Sequence, residues 1–395
     1  MIKRTLAAVA AALCLGAAQA ATEWTQYQGN ASHTGSLDIT VDTTFTKSWS
    51  LNIGAVNPVA AVNGMVYAST QGYFSGQKLL ALDAATGQQV WSKDFGGVYS
   101  VNPPSYAGGK VYLQTGNHSG DSWFRGYDAL TGQLVAKAPF SAQWERYQAP
   151  TIVDDVAYVN GGSYGGAYAF DLKTGEQKWF TGLPQYDGWT PAVDDTRVVA
   201  HMAGSLYVMD RETGTIQQTI KDSSYSWSGY TASPSPILVG DMAYVVSSGY
   251  LRQFDLSAGV QTWALNGVVG QAAIDGDEIF ALRNGTLSSI NAATGVTNWM
   301  WEDPMTSQFG NEVLVTDNLV FVSGSSGKSF AIDRKTRDVV ATFSESGRFS
   351  FGNDTLYIAG SHGLSAYSVA VVPEPGTVML MLGGLMVCGV ALRRR

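Results

Sequence analysis

Ala81-Leu82-Asp83-Ala84-Ala85-Thr86-Gly87-Gln88-Gln89-Val90-Trp91 is one copy of a pattern that returns along this chain of 395 residues. Its core, Asp-x-x-Thr-Gly, recurs as Asp128-Ala-Leu-Thr131-Gly132, Asp171-Leu-Lys-Thr174-Gly175 and Asp210-Arg-Glu-Thr213-Gly214. Looser copies follow at Asp255-Leu-Ser-Ala-Gly259, Asn291-Ala-Ala-Thr294-Gly295 and Asp333-Arg-Lys-Thr336-Arg337. The copies step by 45, 43, 39, 45, 36 and 42 residues. Apolar, strand-like runs flank each of them.

The chemistry of the motif is that of a turn. An Asp carboxylate accepts hydrogen bonds from turn amides, Thr does the same through its hydroxyl, and Gly supplies a positive φ. The Asp and Gly residues from Asp83 and Gly87 through Asp128, Gly132, Asp171, Gly175, Asp210 and Gly214 are therefore structural. Upstream of each lies a second hairpin, with turn pairs Asn63-Gly64, Gly108-Gly109, Asp154-Asp155, Asp194-Asp195, Gly240-Asp241, Asp275-Gly276, Asp317-Asn318 and Asn353-Asp354. Two hairpins make a four-stranded antiparallel unit, and a period near 40 residues makes an all-β, eight-bladed β-propeller the expected fold. The last unit lacks its fourth strand. Phe45-Thr-Lys-Ser-Trp49-Ser resembles the missing one, so an N-terminal strand is expected to close the ring and cover its edges.

Both ends read as sorting segments. Lys3-Arg4, an apolar run from Leu6 to Leu15 and Ala18-Gln-Ala20 have the order of an export signal over residues 1–20. At the other end, Val372-Pro373-Glu374-Pro375-Gly376 precedes an apolar stretch of 17 residues and Arg393-Arg394-Arg395. That length suits a short transmembrane helix with cytoplasmic arginines. Residues 21–370 form the expected exported domain. Without Lys3, Arg4, Glu374 and the three terminal arginines, 19 basic and 31 acidic side chains remain, a net charge of −12. Such a surface repels nucleic acid and anionic headgroups. The two cysteines, Cys14 and Cys388, sit in the terminal segments, so the domain has no disulfide and no cysteine metal site.

The repeat Ala-x-Asp-x-x-Thr-Gly-x-x-x-Trp, complete at 81–91 and 169–179, resembles the pyrroloquinoline-quinone (PQQ)-like repeat of eight-bladed propellers. The opening Trp24-Thr-Gln-Tyr27-Gln-Gly29-Asn30-Ala-Ser-His33-Thr34-Gly35 resembles the start of such proteins. The resemblance implies that Trp49, Trp91, Trp179, Trp263 and Trp299 pack between blades, and that blades near Val135, Ile220 and Val340 pack less tightly. The C-terminal tail resembles the PEP-CTERM sorting signal, carried by Pro373, Glu374 and Pro375. That resemblance implies an exosortase-type processing enzyme of a Gram-negative bacterium that makes exopolysaccharide. It also implies membrane anchoring before processing, then a place at the cell surface or in the matrix.

The propeller family includes dehydrogenases that hold PQQ and calcium beside a catalytic Asp. Here the vicinal cysteine pair is missing, and no Glu, Asn and Asp match the calcium ligand set. No cofactor, metal or catalytic residue is therefore expected. His33, His118, His201 and His362 lack metal-ligand spacing and are expected to hydrogen-bond within loops. Aromatic residues concentrate in the connections opposite the polar turns. Trp123, Trp144, Arg146, Tyr147, Tyr186, Asp187, Trp189, Tyr225, Trp227 and Tyr230 form the candidate ligand-binding set, joined by Tyr73, Phe74, Tyr99, Tyr164, Trp301 and Phe309. Exposed rings with polar neighbours suit sugars, whose C–H faces stack on π systems. The opposing reading is that these rings bury one another as a plug. The expected function is non-catalytic binding of an exopolysaccharide or an envelope protein. A PQQ-dependent dehydrogenase and a purely structural matrix protein are the alternatives.

Overall fold

The computed structural model describes residues 22–117, 121–143, 146–185, 188–223, 225, 234–301, 309–324 and 327–372. The expected export signal, the apolar tail and Pro373, Glu374 and Pro375 lie outside the described residues. No helix among the described residues is long and apolar enough to cross a membrane. The described residues are all-β apart from one 3-10 turn, Tyr27–Gly29.

Among the described residues most strands form antiparallel sets of four; two of these sets join into one larger sheet through a parallel bridge between Gln271 and Glu312, and unit 2 has a fifth short strand, Ser100–Val101. Unit 1 runs Ala60–Val62, Met65–Ser69, Lys78–Asp83 and Gln89–Asp94. The inner strands of units 2 to 7 are Ser105–Ala107, Thr151–Val153, Ala192–Val193, Ile237–Val239, Val268–Asp275 and Phe309–Thr316. Unit 8 contains Arg348–Gly352, Thr355–Ala359 and Leu364–Ser368, and its outer strand is Thr46–Leu51 from the N-terminal region. Lys47 pairs with Tyr367 and Leu51 with Leu364.

The local chemistry of each hairpin explains its shape. Asn63 and Gly64 both have positive φ, as do Gly108 and Gly109, Asp154 and Asp155, and Asn353 and Asp354. That is the geometry of a tight turn whose twist matches its strands. In the Asp-x-x-Thr-Gly turns, Asp83 Oδ1 accepts from Thr86 N at 2.8 Å and Thr86 Oγ1 at 2.7 Å, and Asp128 and Asp210 repeat the pattern.

Tryptophan joins several neighbouring units. Trp49, Trp91, Trp179 and Trp263 each donate an indole N–H to a carbonyl in the next unit's turn, at Ala84, Ala129, Arg211 and Ala292. At the equivalent position unit 2 has Ala136, paired with Gly126 where unit 1 pairs Trp91 with Ala81. This interface is filled in a different way. Phe124 of unit 2 stacks on Phe170 of unit 3 with centroids 4.9 Å apart and planes 8° from parallel. Trp299 meets Arg337 instead of a turn Gly, with the guanidinium 5.5 Å from its ring.

The segment before the first strand links the units at their inner ends. Thr22 O accepts from Asn353 N of unit 8, and Trp24 exchanges two backbone hydrogen bonds with Ala61 of unit 1. Thr25 O accepts from Tyr106 N, Gln26 pairs with Ile152, and Ala31 O accepts from Val193 N. Ser32, Thr34 and Gly35 accept from Leu238, Ile274 and Val315. Residues 22–35 thus bond to units 8, 1, 2, 3, 4, 5, 6 and 7 in turn. These contacts lie just before the tight turns, so the belt occupies the turn end of the inner strands.

Candidate functional site

At the opposite end the inner strands leave a cavity of about 450 Å³. Its wall takes at least one residue from every unit: Asn57, Asn102, Gln148, Gly188, Pro234, Gln271, Glu312 and Arg348. Tyr27 of the belt also lines it, while Gln71, Gly72, Gln77 and Arg146 come from connecting loops. The belt therefore bounds the cavity from the turn end.

Hydrogen bonds hold most of this wall in place. Asn57 Nδ2 donates to Ser69 Oγ at 2.8 Å and Val101 O at 2.9 Å. Asn102 Oδ1 accepts from Tyr147 N, and Gln148 Nε2 donates to Gly188 O. Tyr27 Oη lies 3.3 Å from Gln271 Oε1 and 3.4 Å from Glu312 Oε1. Arg348 Nε stands 3.5 Å from Glu312 Oε1. Burial pushes the Glu312 carboxyl above its ordinary value against the pull of Arg348. Burial and the Glu312 charge raise the Tyr27 phenol strongly.

Exposed rings stand beside the lining residues Gly72 and Arg146. Tyr73 is 59% exposed and Phe74 51%. Tyr99 touches both, with centroids 5.4 Å and 5.7 Å away. The Arg146 guanidinium lies 4.0 Å from the Tyr73 ring centroid and donates to Gly72 O at 3.2 Å. Its Nε is buried without an acceptor among the described residues.

The sequence-derived set divides on this geometry. Arg146 and Tyr147 line the cavity. Trp189 is wholly enclosed and packs in a core with Trp179, Leu183 and Met202, so it is a core residue rather than a binding surface. Tyr147 is also buried, against Phe140. Trp123 stands apart from the cavity wall, half-buried under Lys137 Nζ at 3.5 Å, with its N–H on Asp121. Tyr225 covers Gly204, where an added Cβ would fall 2.2 Å from the ring. Trp144, Tyr186, Asp187, Trp227 and Tyr230 lie outside the described residues, as do the side chain of Phe309 and all of His118. Tyr164 is exposed, and Trp301 packs on Phe330.

The histidines differ from one another. His33 is buried in the belt, with Nδ1 3.0 Å from Pro236 O and Nε2 3.0 Å from Thr151 Oγ1. His201 sits on the strand Arg197–Met202 rather than in a loop, and neither ring nitrogen has a partner among the described residues. It borders a fully buried ion pair, Arg252 with Asp222 at 2.7 Å. Burial lowers both histidines to a pKa of about 4.

The polar wall was missed by a reading that weighed aromatics. A signal was present: Asn57-Pro58, Asn102-Pro103 and Gln148-x-Pro150 recur at nearly the repeat spacing, followed by Thr190-Pro191 and Ser235-Pro236. Gln271, Glu312 and Arg348 carry no such mark.

Comparison with known proteins adds to this geometry. The sequence model of a family described as outer membrane protein assembly factor BamB matches residues 35–179 and 121–343. The PEP-CTERM protein-sorting motif matches residues 371–395. No curated protein matches the chain by sequence. Among solved structures, BamB from Moraxella catarrhalis is similar over 82% of this chain and 100% of its own, with a TM-score of 0.65 and 16% identity. A europium-containing methanol dehydrogenase is similar over 88% and 98%, with a TM-score of 0.67 and 14% identity. The quinohemoprotein alcohol dehydrogenase ADHIIG from Pseudomonas putida HK5 is similar over 89% and 81%, with a TM-score of 0.65 and 13% identity. At these identities the likeness is one of β-propeller fold.

Proposed function

We propose, for a chain that belongs to the family described as outer membrane protein assembly factor BamB, an exported eight-bladed propeller that binds rather than catalyses. In this reading residues 1–20 direct export, residues 21–370 close into a ring latched by Thr46–Leu51, and residues 371–395 are the sorting signal. The sorting motif implies export and anchoring through the C-terminus in a Gram-negative bacterium, with an exosortase-type enzyme as partner. The ligand is an envelope or matrix polysaccharide.

One observation carries the reading: exposed Tyr73, with Phe74 beside it in the chain, carries Arg146, which lines a polar cavity. Aromatic faces beside fixed polar groups suit hydroxylated rings.

The dehydrogenase alternative needs residues for PQQ and calcium. The cavity wall offers one carboxylate, Glu312, already beside Arg348, and no cluster of three acidic or histidine ligands occurs among the described residues. That donor set does not fit a divalent cation that takes six or more oxygens. A role like that named for BamB, in outer-membrane protein assembly, would use a protein ligand instead.

A glycan array with the full chain tests the proposal. Binding that falls at least tenfold in the Tyr73→Ala/Phe74→Ala double variant supports it. Binding indifferent to that change removes it, and reduction of a dye with added PQQ and calcium would favour the enzyme.

A further inference from the structure

We infer that the cavity takes a carboxylate-bearing sugar, a uronate-type unit, with Arg146 as its anion-binding group. This deepens the reading above and rests on it.

Charge balance within the cavity is the first observation. Among the described residues two guanidiniums border it, Arg146 and Arg348, against one carboxylate, Glu312. Glu312 faces Arg348 at 3.5 Å, so that charge is largely answered. No carboxylate lies within ion-pair range of Arg146 among the described residues. Its Nε is buried and lacks an acceptor. A buried guanidinium N–H without a partner costs free energy that an incoming carboxylate oxygen would recover.

Shape and the surrounding charge agree with that assignment. The domain carries a net charge of −12, so the excess of guanidinium over carboxylate among the described lining residues runs against the surface around it. Arg146 is held by stacking on Tyr73 and by its bond to Gly72 O, which fixes the fork in one orientation. The same Tyr73, with Phe74, offers exposed aromatic surface beside the cation. A ring with a C–H face and a carboxylate at its edge satisfies both. A neutral sugar would meet the aromatic face and leave the guanidinium unanswered.

The test uses the full-length chain in detergent and calorimetric titration with β-1,4-linked oligomers of glucuronate and of glucose of equal length. Glucuronate oligomers should bind at least tenfold more tightly than glucose oligomers, and Arg146→Gln should erase that ratio. Arg146→Lys should restore part of it, because the charge returns without the fork. Equal affinity for the two oligomers, still lost in Tyr73→Ala/Phe74→Ala, would overturn the acidic assignment and leave the aromatic platform standing. A glucuronate preference unchanged in Arg146→Gln would mark diffuse attraction to cations elsewhere and also overturn it. Failure of both oligomers to bind would remove the polysaccharide reading as a whole.

Discussion

Trp49 lies on Gly87 although the two belong to opposite ends of the repeat array. A Cβ at Gly87 would fall 2.7 Å from Trp49 Cδ2, and the indole N–H donates to Ala84 O at 2.9 Å. Trp49 is in the strand that completes unit 8, and Gly87 is in the outer turn of unit 1. Trp91 on Gly132, Trp179 on Gly214 and Trp263 on Gly295 repeat the contact between consecutive units. The turn glycine therefore serves two demands, a positive φ and room for a neighbour's ring.

These two demands separate by mutation. Trp49→Ala should cost about 3–5 kcal/mol in urea unfolding, the usual range for a buried large aromatic. Gly64→Ala, with φ +74 and nothing within 4 Å of the new Cβ, should lose only the ~1–2 kcal/mol of a left-handed alanine. Gly87→Ala has a similar φ of +70 and adds the collision with Trp49, so it should lose clearly more. Equal losses at the two glycines would show that the ring contact contributes nothing.

The belt should be visible in amide exchange. Tyr106, Val193, Leu238, Ile274 and Val315 each donate a backbone N–H to it. Trp24 is its buried anchor, packed with Leu314, Phe351 and Leu356. Trp24→Ala should lower protection at these five amides together, while amides within the outer strands change little. Loss at Ala61 alone would mean that the segment bonds unit by unit without acting as one element.

Acid should weaken the fold in two windows. His33 and His201 are buried with pKa values lowered to about 4, against an ordinary 6.5. A lowered folded-state pKa means stability that is present above pH 6.5 and lost as pH falls toward 4, by about 3 kcal/mol per histidine at most. His201→Phe should flatten part of that slope in thermal melts. Below it, the turn carboxylates come into play. Hydrogen bonds from Thr86 hold Asp83 below its ordinary range, and similar bonds act on Asp128 and Asp210. Their contribution is lost only as pH falls further, below about 4. A melting temperature constant from pH 7 to 5 would contradict the burial of both neutral histidines.

Sorting should depend on the short motif rather than on the domain. Replacing Glu374 by Ala should leave an unprocessed, membrane-associated chain in a host with an exosortase, with the melting temperature of the domain unchanged. Fractionation and immunoblotting distinguish this from normal release. Identical processing of the variant would separate this tail from the motif that it matches.

The sequence determined the repeat unit, because a turn is a local object. Asp83, Thr86 and Gly87 contact one another within five residues, and their spacing survives in the chain as a period that can be counted. Trp91, Trp179, Trp263 and Trp299 stand at one offset, eight residues after Asp83, Asp171, Asp255 and Asn291, so this part of the pattern is local too. Tertiary structure alone decided the cavity. Asn57, Gln148, Glu312 and Arg348 meet only because the fold brings the segments at and just before the inner strands around one space, and no short-range pattern marks Glu312 or Arg348. It also decided which aromatics face water. Trp189 and Tyr73 are both large aromatics in connecting segments, yet one fills a core and the other stands over Arg146, since burial depends on neighbours that only the fold brings together.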